Sequence, residues 1–411
     1  MSPVRVAVFF GLTAIVLGLL NLHALAWVNR AFAPSRRVRR ALQMSLFAAL
    51  AGMVLGRVID SALTDAPVTW LLAVSGTVEL AVLMSVALLL PADAVRLFAG
   101  LVRRARTRWV KKREPRGRAD GSVAGAAGAV VPRRAVLAQA AAGSAFLIGG
   151  SSAAYGALIG RHDYALEDFP VRIPGLARAL DGFTIVQLSD IHIGQFVGES
   201  ELRVAEELIV RAHPDLIVLT GDLLDHDAAL AGRLGHFVRR LVPLAREGVV
   251  AISGNHDFYA GIAPIRAAVR AAGGRMLVNA AEVVGRGQAA FSLLGVEDVW
   301  ARRTGGGPDL ERAVSALPEA ARELPRVLLC HNPSYFEEAA GKVALQLSGH
   351  THGGQVSLGV NPAEWFVKHG WVRGSYDYRG SRLYVNRGFG TVGPPARVGS
   401  PPELTRVVLT V

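Results

Sequence analysis

Four apolar stretches fall within the first 160 residues, at about 6–28, 41–59, 68–90 and 135–160. Each is close to the roughly 20 residues that a helix needs to cross a hydrocarbon core. Runs of that length cannot all be buried in one soluble core. Residues 1–160 are therefore expected to form an α-helical membrane region with four transmembrane helices, and residues 161–411 a separate folded domain. The second stretch is the weakest, with Arg57 near its end, where a long side chain reaches the interface. Glu79 in the third stretch, with no partner that spacing identifies, and His23 in the first read as helix-packing residues.

Charge orients the spans. Arg30, Arg36, Arg37, Arg39 and Arg40 lie between the first two with no acid, and the 93–134 segment carries twelve Lys and Arg residues. The connection between the second and third carries Asp60 and Asp65 instead. Positive connections stay in the cytoplasm. The N-terminus is thus expected outside, the chain crosses the cell membrane four times, and residues 161–411 lie outside the cytoplasm. Residues 114–131, rich in Gly and Ala and without apolar periodicity, read as a flexible cytoplasmic linker within the basic 93–134 segment. The following Pro132-Arg133-Arg134-Ala135-Val136-Leu137 resembles a twin-arginine export signal and fits equally a basic flank obeying the same charge bias. Ala153, Ala154 and Ala157 suit cleavage after the fourth span only loosely.

The formal charge of +12 belongs to this region: 19 Lys and Arg stand against 6 Asp and Glu up to Gly160, and 26 against 27 beyond it. A pI near 10.6 therefore does not signal nucleic acid, and no such partner is expected. The single cysteine, Cys330, excludes a disulfide framework and a Cys-rich zinc module.

From about residue 176 the pattern changes. Apolar runs of strand length at 183–188, 216–219, 249–252, 291–294, 327–329 and 343–347 appear, with helical periodicity at 199–212 and 228–246 between the first three. Such alternation points to an α/β core. After the first run comes Asp190-Ile191-His192, after the second Gly221-Asp222-Leu223-Leu224-Asp225, and after the third Gly254-Asn255-His256-Asp257. The fifth ends in Cys330-His331-Asn332 and the sixth in Gly349-His350-Thr351-His352-Gly353-Gly354. Rigid sheets deliver functional side chains at the carboxyl ends of their strands, and His, Asp and Asn suit a first-row divalent metal. One Asp or His at a strand end is an ordinary turn or half-buried residue. Four His beside two Asp and an Asn have no structural reason to gather without a metal.

This order of motifs (DxH, GDxxD, GNHD, a lone His and GHxH) resembles the calcineurin-like metallophosphoesterases over about residues 180–360, with no substitution at a ligand position. The later GHTHGGQ, LYVNRGFGT and PPE resemble the membrane-associated YkuE/YaeI-like branch. The resemblance implies a four-layer αββα sandwich for residues 161–411. It implies one metal held by Asp190, His192, Asp222 and His352, and a second by Asp222, Asn255, His331 and His350, with Asp222 bridging. It also implies that His256 contacts the phosphate and protonates the leaving oxygen, with Asp225 orienting it. Two carboxylates against two divalent ions leave an excess of about +2, or about +1 with a bridging hydroxide, which suits an anionic ester. The donor set favours Mn²⁺, with Zn²⁺ or Fe as alternatives. Asp257 reads as loop support, and His213, His226, His236 and His369, outside any motif, as structural. Gly388 to Gly393 spells GxGxxG, but Pro394-Pro395 follows where a helix must open, so no dinucleotide site is read there.

The expected protein is a membrane-anchored dimetal phosphoesterase, hydrolysing phosphomonoester, phosphodiester or pyrophosphate bonds through a metal-bridging hydroxide. Phe258, Tyr259, Trp365, Phe366 and Trp371 lie close in sequence to the site loops and suit a membrane interface. A lipid-linked phosphorylated substrate is therefore expected first and soluble diesters second; the same rings serve equally to cover a core. The alternative class is a non-catalytic membrane sensor or scaffold that binds a phosphorylated ligand. On the expected topology, an alkaline-phosphatase fusion after residue 170 is active and one at residue 115 is silent. The opposite pattern overturns the placement.

Overall fold

The computed structural model describes residues 3–62, 68–111, 132–286 and 289–411, and the chain divides into two compact units, Met1–Ala154 and Tyr155–Val411. The first unit holds α1 (Pro3–Phe32), α2 (Arg36–Ala62), α3 (Thr69–Lys111) and most of α4 (Arg133–Leu158). Among the described residues, these four helices are long and apolar enough to cross a membrane. Trp27, Leu89, Ala142 and Ala145 pack together, while Leu19, Leu22, Phe47 and Leu147 face outward. That inversion of a soluble core suits a lipid solvent. Glu79 gains the helix-packing partner that spacing could not identify, because the Asn21 amide donates to its carboxylate at 3.1 and 3.2 Å. His23 and Trp27 share Asp93, at 2.9 and 3.1 Å.

α3 extends well beyond the expected third span of 68–90. It continues past Leu90 and through Pro91 for 43 residues, to Lys111. The Leu, Ala and Arg that fill residues 94–106 are strong helix formers, and their local preference carries the helix beyond the apolar span. The expected linker at 114–131 and the acid Asp65 lie outside the described residues.

The second unit runs β1 (Ala165–Arg172), β2 (Thr184–Leu188), α5 (Glu199–Ala212), β3 (Leu216–Thr220), α6 (Ala231–Leu241), β4 (Val249–Ile252), α7 (Asn255–Ala260), α8 (Ile262–Ala271) and β5 (Arg275–Met276). It continues with β6 (Ala280–Arg286), β7 (Ala289–Gly295), α9 (Leu310–Ser315), β8 (Arg326–Leu329), α10 (Phe336–Ala339), β9 (Leu345–Ser348), α11 (Ala363–Phe366), β10 (Gly374–Tyr378), β11 (Ser381–Val385) and β12 (Glu403–Thr410). The strands form two six-stranded sheets, ordered β1-β12-β2-β3-β4-β5 and β10-β11-β9-β8-β7-β6. β2, β3 and β4 run parallel, as do β7, β8 and β9.

The period-2 alternation of strand side chains builds four layers. Ile185, Leu216, Val218, Val250 and Ile252 of the first sheet meet Phe291, Leu293, Val327, Leu329, Leu345 and Leu347 of the second in one core. Their neighbours Val186, Ile217, Leu219, Val249 and Ala251 face the other way, onto α5, α6 and α8. Leu294, Leu328 and Cys330 turn outward beneath α9 and α10. This is an αββα sandwich. β1 was not expected from the sequence: ALEDFPVR has only weak alternation and becomes a strand by pairing in parallel with β12. Phe291 is fully buried between the sheets and meets Phe183 edge to face at 5.4 Å. Phe291→Ala is expected to destabilise the second unit by about 3–5 kcal/mol, read as a lower midpoint in urea unfolding.

Candidate metal centre

All the motif loops stand at carboxyl ends of parallel strands: Asp190 and His192 after β2, Asp222 and Asp225 after β3, Asn255 and His256 opening α7 after β4, His331 after β8, and His350 and His352 after β9. The structure gathers them into overlapping groups whose donor atoms lie within 4.8 Å of one another: Asp190, His192 and His352; His192, Asp222 and His256; and Asp222, His331 and His350. In the first, His352 Nε2 lies 3.4 Å from Asp190 Oδ1 and 3.2 Å from His192 Nε2. Oδ2 of Asp222 lies 3.2 Å from His331 Nε2 and 3.7 Å from His192 Nε2, so one oxygen faces histidines carried by both sheets.

The loops that carry these side chains are tightly bent. Asp190, His192, Asp222, His350 and His352 have φ of 51°, 50°, 51°, 75° and 51°, in the left-handed region that non-glycine residues seldom occupy. The motif glycines let the loops pass close by. A Cβ on Gly349 would lie 2.0 Å from Ser189 Oγ and 2.1 Å from Asp190 Oδ2, and one on Gly254 2.2 Å from Asp222 Oδ1. Gly388 and Gly390, which spell part of the discarded GxGxxG, likewise back onto Asp190 and Ile191, and no helix follows them.

Hydrogen bonds orient the ligand atoms. Ser189 Oγ donates to Asp190 Oδ2 at 2.6 Å, and the His350 backbone N–H donates to the same carboxylate at 2.9 Å. Buried Asp257 ties two loops together, accepting at Oδ1 from Leu223 N (2.9 Å) and Leu224 N (3.2 Å) and at Oδ2 from Gly254 N (2.8 Å). Burial, and then the neighbouring Asp222 charge, push its carboxyl up to about 7. His331 Nδ1 lies 2.8 Å from the Thr220 carbonyl. A carbonyl only accepts, so Nδ1 carries a proton and Nε2, which faces Asp222, is the atom that would ligate a metal.

A carboxylate oxygen and an imidazole nitrogen facing each other across 3.2 Å share a cation, either a proton on the ring or a bound metal. Burial would lower His331, but the Asp222 carboxylate overrides it and holds the ring well above the usual imidazole range. Burial would likewise raise Asp222, yet His331 and His192 hold it far below the usual carboxylate range. Burial, helped by the neighbouring His352 and His256 and only partly opposed by Asp222, pushes His192 down to about 3, which keeps a neutral ring suited to ligation. Asn255 Oδ1 is buried and finds no hydrogen-bond partner among the described residues. An orphaned acceptor beside convergent carboxylates and imidazoles is what a divalent cation would satisfy. The residues fit a metal.

His256 lies in the group with His192 and Asp222 and is also held by its own hydrogen bonds. Its backbone N–H donates to Asp222 Oδ1 at 2.7 Å, and its Nδ1 lies 2.8 Å from the Asp225 carbonyl. The Asp225 carboxylate, expected to orient this ring, is farther at 3.7 Å. Arg397 has no sequence motif and is the residue that sequence reasoning missed. Fully buried, it donates to His352 Nδ1 at 3.1 Å and to the carbonyls of Arg387, Gly388 and Gly390. Burial pulls its guanidinium down to about 10 and, with Arg397 second, keeps His352 neutral. An arginine only donates, so Nδ1 of His352 accepts in this arrangement and the proton of the neutral ring sits on Nε2. The five aromatics divide. Trp371 is buried against Phe336 (5.4 Å) and Tyr378 (5.7 Å) and covers core, whereas Trp365 and Phe366 are exposed.

Residues 183–354 match the calcineurin-like phosphoesterase family. The chain is 32% identical over 234 residues to phosphodiesterase YaeI of Escherichia coli, covering 55% of this chain and 82% of that one. It is 29% identical over 269 residues to the metallophosphoesterase YkuE of Bacillus subtilis, covering 63% and 90%. A transmembrane protein with metallophosphoesterase domain from Danio rerio is 30% identical over 276 residues, and the match spans 64% of this chain and 62% of that protein. Gly349→Ala tests the packing of the site. The methyl group displaces Asp190, costs about 1–3 kcal/mol, and is expected to weaken metal binding at the Asp190, His192 and His352 group. Thermal melting and metal titration read both effects.

Proposed function

The chain belongs to the calcineurin-like phosphoesterase family, and from that premise we propose that it is a membrane-anchored hydrolase whose phosphoester bond is cleaved between two divalent ions. The observation that carries the dimetal reading is the Asp222 carboxylate, whose Oδ2 stands against His192 on one side and His331 on the other. Asp190, His192, Asp222 and His352 would hold one ion, and Asp222, Asn255, His331 and His350 the other. The mixed imidazole and oxygen donors favour Mn²⁺, with Zn²⁺ or Fe as alternatives. When bound, two such ions neutralise the phosphoryl oxygens and lower the pKa of attacking water.

The protein side of the reaction falls to His256. With Nδ1 donating to the Asp225 carbonyl, the second proton of the ring sits on Nε2, the atom free to pass it to the leaving oxygen. Asp225 positions the ring through its backbone as well as its nearby carboxylate. Four apolar helices and the Arg-rich connections support a multi-pass anchor with the hydrolase outside the cytoplasm. The exposed pair Trp365 and Phe366 supports a lipid-linked substrate.

Two substitutions test this division of labour. Asp222→Asn is expected to lower the binding of both metals together and abolish turnover, because an amide cannot bridge two cations as a carboxylate does. His256→Gln is expected to keep two metals per chain while kcat falls by about 10²–10⁴, and the loss should shrink for nitrophenyl esters, whose leaving group needs no proton. Loss of metal from His256→Gln, or an equal loss on every leaving group, contradicts the assignment.

A further inference from the structure

We propose that Leu358, Val360, Trp365 and Phe366 form a membrane-docking ledge, which seats the second unit on the bilayer that α4 crosses. The proposal rests on reading α4 as a membrane span and deepens that reading by stating where the metal centre works. All four side chains are exposed within nine residues, Trp365 at 72% and Phe366 at 85%. Neighbouring Trp371 shows that this segment can bury an indole when it serves the core.

The ledge is braced at both ends of its base. Asn361 is buried, donates to the Gly353 carbonyl at 3.1 Å and accepts from Ala363 N–H at 3.3 Å, which locks the ledge onto the loop that carries His352. Just before the ledge, Val356 bridges Val398: Ser357 N donates to Val398 O at 2.8 Å, and Val398 N to Gln355 O at 2.9 Å. The 396–398 segment in turn lies against the end of α4. Arg397 N donates to Gly156 O at 3.1 Å. A Cβ at Gly156 would come within 2.6 Å of Val398 Cγ2, and one at Gly160 within 2.1 Å of the Arg397 carbonyl, so glycine alone permits this approach. Tyr155, Leu158 and Ile159, on the open side of the same turns, are exposed and apolar.

A continuous run of backbone contacts therefore leads from the last turns of an apolar helix, through 396–398 and 355–357, to the ledge. Arg397 and Asn361 tie that same run to His352 and Gly353. A helix leaving a bilayer ends at the headgroup level, where Trp and Phe partition favourably beside it. A second copy or a soluble partner would also cover an apolar ledge, but neither requires it to be braced to that helix end. Docked this way, the metal centre is held where the phosphoester of a membrane lipid lies.

Spin labels on the full chain in phosphatidylethanolamine and phosphatidylglycerol nanodiscs test the proposal, with Cys330 fully buried and unlabelled. Single cysteines replace Phe366, Leu147 on the outward face of α4, and exposed Glu319. Relative accessibility to oxygen and to a water-soluble nickel chelate gives each depth. Label 366 is expected about 5–10 Å below the headgroup boundary, label 147 deep in the acyl region, and label 319 in water. Label 366 in water with 147 in lipid overturns the docking and leaves the span standing. Both in water overturns the span and the docking together. Dipolar broadening between two 366 labels shows a second copy on the ledge and also overturns the proposal.

Discussion

Oδ2 of Asp222 is the point on which the site depends. It is a buried carboxylate oxygen set between His192 from the first sheet and His331 from the second. Charge taken out of water at this depth is costly unless opposite charge meets it; His331, held above the usual imidazole range by this carboxylate, meets it, while burial keeps His192 neutral. In the reading proposed above, divalent ions would meet that charge from both directions. The surrounding hydrogen bonds orient these groups: the Thr220 carbonyl accepts from His331 Nδ1 and so turns Nε2 inward, and the His256 backbone N–H occupies Oδ1 so that Oδ2 faces the two histidines.

Holding such a group costs backbone strain as well as desolvation. Five of the seven proposed ligands sit at positive φ without being glycine. Strain of this kind persists only where the surrounding structure over-determines the loop. Two sheets packed through a core of fully buried aliphatic side chains supply that rigidity, and Asp257 clamps the β3 and β4 loops to each other. Glycine appears beside the ligands for the complementary reason: at Gly254 and Gly349 the space a methyl group would take is already filled by ligand carboxylates or their support.

Arg397 joins the chemistry to the location. Its guanidinium holds His352 and the loop at Arg387, Gly388 and Gly390, while its backbone N–H holds the end of α4 at Gly156. One buried residue thus fixes a proposed metal ligand and the helix terminus in the same frame. The Trp365 and Phe366 ledge continues from that frame through the Val356 and Val398 bridge.

Much of this was legible in the chain order. The apolar runs marked the central strands because alternation within a four- or five-residue strand is a local property, and the motifs were legible because each ligand follows its strand by a few residues. The four long apolar helices and the absence of a disulfide framework were equally local facts. Other features depended on contacts between distant residues. β1 is a strand only through β12, some 240 residues away. Arg397 meets His352 across 45 residues of sequence, with nothing in PPARVGS to announce it. The ring of His256 takes its closest bond from the Asp225 carbonyl instead of the carboxylate, a choice set by how two loops pack. Trp371 and Trp365, six residues apart, look alike in a sequence, yet one is core and the other faces solvent. Residue type and spacing determined which donors the chain can offer. Which atoms face one another, and which rings remain uncovered, was decided only when the two sheets closed, because burial and orientation are properties of packing and not of sequence distance.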